Sequence, residues 1–145
     1  MEENIKNLNE FLADLEVMTV KLQNYHWNVM GKGFFTTHEK LEEYYEEMRE
    51  QIDEVAEHIL SLGYQPLGTM KDFMQNSEIQ EAKNEKIKSL EIVKSVIKDL
   101  QTLEQKAIKI KQEAENKSDH ATSSMMDAYL QNYSKKLWML NETIK

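Results

Sequence analysis

The chain has 145 residues, 40% of them hydrophobic and 30% charged, and its 18 basic and 26 acidic residues leave a net charge of −8. This is enough for one domain with one substantial core, predicted here to span residues 1–145, and no apolar run approaches the ~20 residues that cross a bilayer. The absence of cysteine excludes disulfides, thiolate metal sites and thiol catalysis, and the acidic balance argues against direct DNA binding, whose affinity comes largely from neutralising phosphates.

The opening Met1-Glu2-Glu3-Asn4 lacks the basic and apolar regions of a signal peptide, so a cytoplasmic protein is expected. Four glycines and one proline all lie between Gly31 and Gly68. The rest of the chain has little to break a helix, and the fold class expected is all-α.

The first predicted helix runs from about Asn4 to Val29. Ile5, Leu8, Leu12, Leu15, Leu22 and Val29 follow the 3-4 spacing of a packed bundle helix. Continuing that spacing past Leu22 reaches His26, which therefore points toward packed surface. Gly31 and Gly33 mark a turn. The second helix is expected to open at Thr36 or Thr37, with Thr36 and Glu39 as a capping box. Its stripe is Leu41, Tyr45, Met48, Ile52, Val55, Ile59 and Leu62, and one step backward reaches His38. A polar stripe of Glu42, Glu46, Arg49, Asp53 and Glu57 lies beside it, and Gly63 ends the helix.

Residues 63–76 are longer than an antiparallel helix pair needs and carry Leu67, Met70, Phe73 and Met74. A crossover with a short helix near Thr69–Gln75 is expected. A third helix is predicted from near Ser77, with Gln80 as capping partner, to about Glu115. Its buried face would be Leu90, Val93, Ile97, Leu100, Leu103, Ala107, Ile110 and Ala114. After a turn at 116–120, a fourth helix would turn Met126, Leu130, Tyr133, Leu137, Leu140 and Ile144 inward. A four-helix bundle with one long crossover between helices two and three is the ferritin-like arrangement.

The chemistry concentrates between Asn24 and Glu57. His26 and His38 lie on apolar stripes, and Glu42, Asp53 and Glu57 line the polar stripe beside them. Imidazole with carboxylate is a ligand mix that suits iron and its neighbours. His38 and Glu42 are four apart, as are Asp53 and Glu57, so each pair shares one helical face. At ~1.5 Å per residue, the fifteen residues between the pairs place them about 22 Å apart on one helix. One small metal centre cannot take both pairs from one straight helix. Either there are two sites, or a second chain running antiparallel across a two-fold axis completes one. Taken alone, Asp53 and Glu57 would be a solvated face with Arg49 as an i,i+4 partner of Asp53. His58 and His120 read as structural or surface residues.

The blocks Tyr25-His26-Trp27-Asn28-Val29, Phe35-Thr36-Thr37-His38-Glu39, Asp53-Glu54-Val55-Ala56-Glu57 and Leu62-Gly63-Tyr64-Gln65-Pro66, with a closing Trp138-Met139-Leu140, resemble the Dps family of mini-ferritins in order and spacing. The resemblance runs from Leu22 to Leu140. It implies a hollow homododecamer that oxidises Fe(II), with hydrogen peroxide or oxygen as oxidant, and stores Fe(III) mineral, so protecting against oxidative damage. It also implies that the ferroxidase centre lies between subunits. His26, His38 and Glu42 would come from one chain and Asp53 and Glu57 from its partner, with His26, His38, Asp53 and Glu57 carrying the catalysis. Glu42 stands where many members carry Asp.

The Glu-x-x-His motif of iron sites inside a single bundle is absent. So is the zinc-protease pattern His-Glu-x-x-His, because Glu42 follows His38-Glu39 at the second histidine's place. Trp27 and Trp138 read as core packing or as oxidisable rings near iron. Tyr25, Tyr44 and Tyr45 read chiefly as packing, and most of the nine methionines as core filler. Asp119 and Asp127 are candidates for a cation-attracting pore, with Ser123 and Ser124 where family members often carry acids. The rival reading is a nucleoid-associated, DNA-compacting protein; the acidic N-terminus and the single closing Lys145 argue against it, short of divalent bridging.

Overall fold

A computed structural model describes residues 2–145. In chain order it contains α1 (Glu2–Asn28), β1 (Val29–Met30), α2 (Phe34–Ser61), α3 (Met70–Asn76), β2 (Ile87–Lys88), α4 (Ser89–Asn116) and α5 (His120–Thr143). Two long hairpins, α1–α2 and α4–α5, pack through α1 against α4. The apolar stripes meet in one core around Leu8, Phe11, Leu15, Leu22, Ile59, Leu100, Leu103 and Tyr133. The bundle with a short crossover helix is as expected. β1 and β2 add a two-residue parallel ladder, Val29 opposite Ile87 and Met30 opposite Lys88, which ties the crossover to the end of α1.

Helix α2 begins at Phe34, ahead of the predicted Thr36–Thr37 start, and no side chain caps it. Gly31 and Gly33 both have φ +84. That left-handed backbone turns the chain within four residues and is open to glycine at little cost. The Thr37 hydroxyl is bonded to Ser89 instead of to its own helix. At the other end, Gly63 has φ +89. Its N–H reaches Leu60 O, and the Tyr64 N–H reaches Ile59 O. These are the two bonds of a Schellman stop.

The third long helix, α4, starts at Ser89 and not near Ser77. Residues 77–88 are held by distant partners that outweigh local helix propensity. The buried Asp14 carboxylate accepts from the Ser77 hydroxyl and the Glu78 N–H, both at 2.8 Å. Ile79 is drawn into the core, and Ile87 pairs with Val29. Leu90, predicted to be buried, is exposed.

Two ion pairs cross the α1–α4 seam: Asp14 with Lys106, and Lys21 with Asp99 at 2.7 Å. Burial pushes the Asp99 carboxyl above its ordinary range, and Lys21 pulls it only part of the way back. The methionine expectation fails in part. Met18, Met48 and Met126 are buried, but Met30, Met70, Met74 and Met139 are exposed. No helix among the described residues is long and apolar enough to cross a membrane.

Candidate metal centre

The last turn of a helix leaves carbonyls without intrahelical partners. His26, in the last turn of α1, has such a carbonyl, and His38 Nδ1 lies 2.7 Å from it. The arrangement is reciprocal: His26 Nδ1 lies 2.5 Å from His38 O. A carbonyl only accepts, so each Nδ1 is the donor, and in a neutral imidazole the lone pair then lies on Nε2. This is the orientation in which a histidine serves as a metal ligand, with its other nitrogen anchored to a carbonyl. The two rings stack with centroids 3.7 Å apart and a 10° tilt. Phe34 stacks on the far face of His38, with centroids 5.0 Å apart. His26 is buried and His38 half-buried.

Glu42, one turn after His38, presents Oε1 to His26 Nε2 at 3.7 Å. That is too long for a hydrogen bond and close to twice the ~2.1 Å bond of a first-row metal to nitrogen or oxygen. The Tyr45 hydroxyl donates to the same Oε1 at 3.3 Å. Burial, and then the Glu42 charge, push the Tyr45 phenol above its ordinary range, so it keeps its proton and remains a donor. The Arg49 guanidinium lies over the Tyr45 ring at 4.7 Å. The Arg49–Asp53 pair, which was the alternative to a ligand role for Asp53, is not formed among the described residues.

The structure thus sets His26 against His38 on one side and near Glu42 on the other. Asp53 and Glu57 lie farther along α2, exposed and one turn apart. Among the described residues, no group of three or more histidine, cysteine, aspartate and glutamate side chains converges to hold a metal within one chain. Two contacts were not foreseen from sequence: the histidine clamp and the Tyr45–Glu42 bond. The second had a signal, since residues three apart are neighbours on a helix. The first had none, because it depends on how α1 and α2 meet.

Of the other sequence candidates, Trp27 and Trp138 are 67% and 62% exposed, so the core-packing reading does not hold for either in this chain. Tyr25 and Tyr44 are buried. His58 is structural: its Nε2 lies 2.7 Å from the Thr122 hydroxyl, which in turn donates to Asp119 at 2.6 Å. His120 is exposed. Asp119 caps α5 by accepting from the Thr122 N–H. Asp127 is ion-paired with Lys111 at 3.0 Å. Both acids therefore have partners inside the subunit. Ser123 meets Lys111 at 3.1 Å, and Ser124 is exposed.

The chain matches the ferritin-like domain family over residues 5–145. It is 39% identical over 137 residues to DNA protection during starvation protein 2 of Bacillus anthracis, covering 94% of this chain and 92% of that one. A Dps protein of Bacillus brevis superposes with a TM-score of 0.96 at 36% identity, covering 99% of this chain and 96% of that one. A Dps protein of Vibrio cholerae O1, described as a member of a broad superfamily of ferritin-like diiron-carboxylate proteins, superposes with a TM-score of 0.96 at 30% identity. That match covers 99% of this chain and 90% of that one.

Proposed function

This chain belongs to the Dps family of ferritin-like proteins, and from that premise we propose that it is an iron-storing ferroxidase whose metal site is shared between two subunits of a hollow homododecamer in the cytoplasm. The observation that carries the reading is the reciprocal histidine clamp, which anchors both Nδ1 atoms on carbonyls and sets His26 Nε2 3.7 Å from Glu42. Supporting it, Asp53 and Glu57 form an exposed carboxylate pair on the same helix, and among the described residues Arg49 lies over Tyr45 and not on Asp53. In an isologous two-fold interface each chain offers the other what it lacks. His26, His38 and Glu42 of one chain, with the partner's carboxylates at positions 53 and 57, then form the nitrogen–oxygen set that suits iron.

Fe(II) is substrate here. The clamp fixes the imidazoles before iron arrives, so little ordering is needed on binding. The carboxylates offset charge as Fe(II) becomes Fe(III). Each Fe(II) gives one electron, and the O–O bond of hydrogen peroxide takes two. With two protons taken up, the products are two waters and two Fe(III). Peroxide consumed this way no longer yields hydroxyl radical from free Fe(II), so DNA is protected by chemistry.

The test is anaerobic loading of Fe(II), followed by stopped-flow oxidation with peroxide or with oxygen, and native mass measurement before and after. Peroxide is expected to be faster, with about two irons oxidised per peroxide by electron balance, in a particle of twelve subunits that gains iron mass. A stable monomer or dimer at neutral pH, or oxidation no faster than in buffer, would refute the proposal. Oxidation faster with oxygen than with peroxide would overturn the choice of oxidant.

A further inference from the structure

We propose that Tyr45 is a positioning residue for Glu42, setting where that carboxylate meets an incoming ion. This rests on the reading of His26, His38 and Glu42 as ligands.

Glu42 is the loosest member of the proposed set. Its side chain is 52% exposed, whereas that of His26 is 9% exposed. A glutamate adds a rotatable bond to the shorter aspartate, so an untethered carboxylate samples many positions. Nearby cations do not hold it. Lys40 pairs with Glu43 at 2.9 Å, and Arg49 lies over the Tyr45 ring. Among the described residues, the hydrogen bond that reaches Glu42 comes from the Tyr45 hydroxyl.

Tyr45 is well placed to transmit position. It is 9% exposed. Its ring makes a T-shaped contact with the His26 ring, with centroids 5.6 Å apart at 82°. One buried residue therefore packs its ring on His26 and bonds its hydroxyl to Glu42. The 3.7 Å gap between His26 Nε2 and Glu42 Oε1 is held from both sides by the same residue. Glu42 and Tyr45 are three apart on α2, so the bond needs no tertiary adjustment.

The test uses Co²⁺, titrated anaerobically without oxidant into the assembled protein and its Tyr45→Phe, Glu42→Ala and doubly substituted forms. Tyr45→Phe keeps the ring and removes one oxygen. It is expected to weaken Co²⁺ binding about 10-fold, the lower end for loss of an outer-shell partner of a metal ligand, and to change the visible Co²⁺ absorption. In the Glu42→Ala background it should change neither, because Tyr45 acts through Glu42. A lower unfolding midpoint with unaltered Co²⁺ affinity and spectrum would mean a packing role only and overturn the proposal. If the Phe variant does not assemble, 3-fluorotyrosine at position 45 keeps the hydroxyl. Its fluorine resonance should then shift on Zn²⁺ binding, and shift less in Glu42→Ala. A resonance that moves in neither case also overturns the proposal. Failure of the parent protein to bind Co²⁺ would reject the ligand reading itself, which separates the two outcomes.

Discussion

Subunit mixing tests the shared site most directly. One variant replaces His26 and His38 with alanine; the other replaces Asp53 and Glu57. Helix α2 runs unbroken from Phe34 to Ser61. The histidine end and the carboxylate pair of one chain are therefore about 22 Å apart at ~1.5 Å per residue. No single ion spans that distance, so each variant alone has only damaged sites. After dissociation and reassembly of an equal mixture, about half of the two-fold pairs are mixed, and each mixed pair holds one complete site and one stripped of all four residues. Recovered peroxide-driven Fe(II) oxidation should then approach about a quarter of the unmodified rate. The assay is stopped-flow absorbance on shells whose mixed composition has been verified by native mass. Mixed shells no more active than their parents would sink the shared-site reading, because ligands drawn from one chain leave no complete site in any pairing.

Two further outcomes are expected. Asp14→Ala removes the partner of Lys106 and the acceptor of Ser77 and Glu78. It should cost about 3–5 kcal/mol in urea unfolding at matched protein concentration, while Asp14→Leu with Lys106→Met should cost much less; equal losses would show that the stranded charge is not the cause. With a net charge of −8 per chain, the assembled protein should not retard duplex DNA at physiological salt in chelator-containing buffer. A shifted band in a gel run under those conditions would contradict this.

The helical bundle was legible in the sequence because apolar spacing along a helix is a local property. The stripes of α1 and α2 are buried or partly buried as read, and Gly63 stops α2 through bonds made within its own last turn. That His38 shares a helical face with Glu42, and Asp53 with Glu57, was legible for the same reason, since i,i+4 spacing alone decides it.

Other features depended on groups far apart in the chain. Ser77 and Gln80 looked like a helix start, yet Asp14 and Val29 hold that stretch extended, because buried polar groups must find partners wherever the fold offers them. Leu90 fell outside the core once α4 began later. Trp27 and Trp138 looked like core residues but lie on the surface of this chain. The anchoring of His26 and His38 was likewise decided by tertiary structure. Spacing could suggest that both histidines face packed surface, but only the meeting of α1 and α2 sets each Nδ1 against the other's carbonyl.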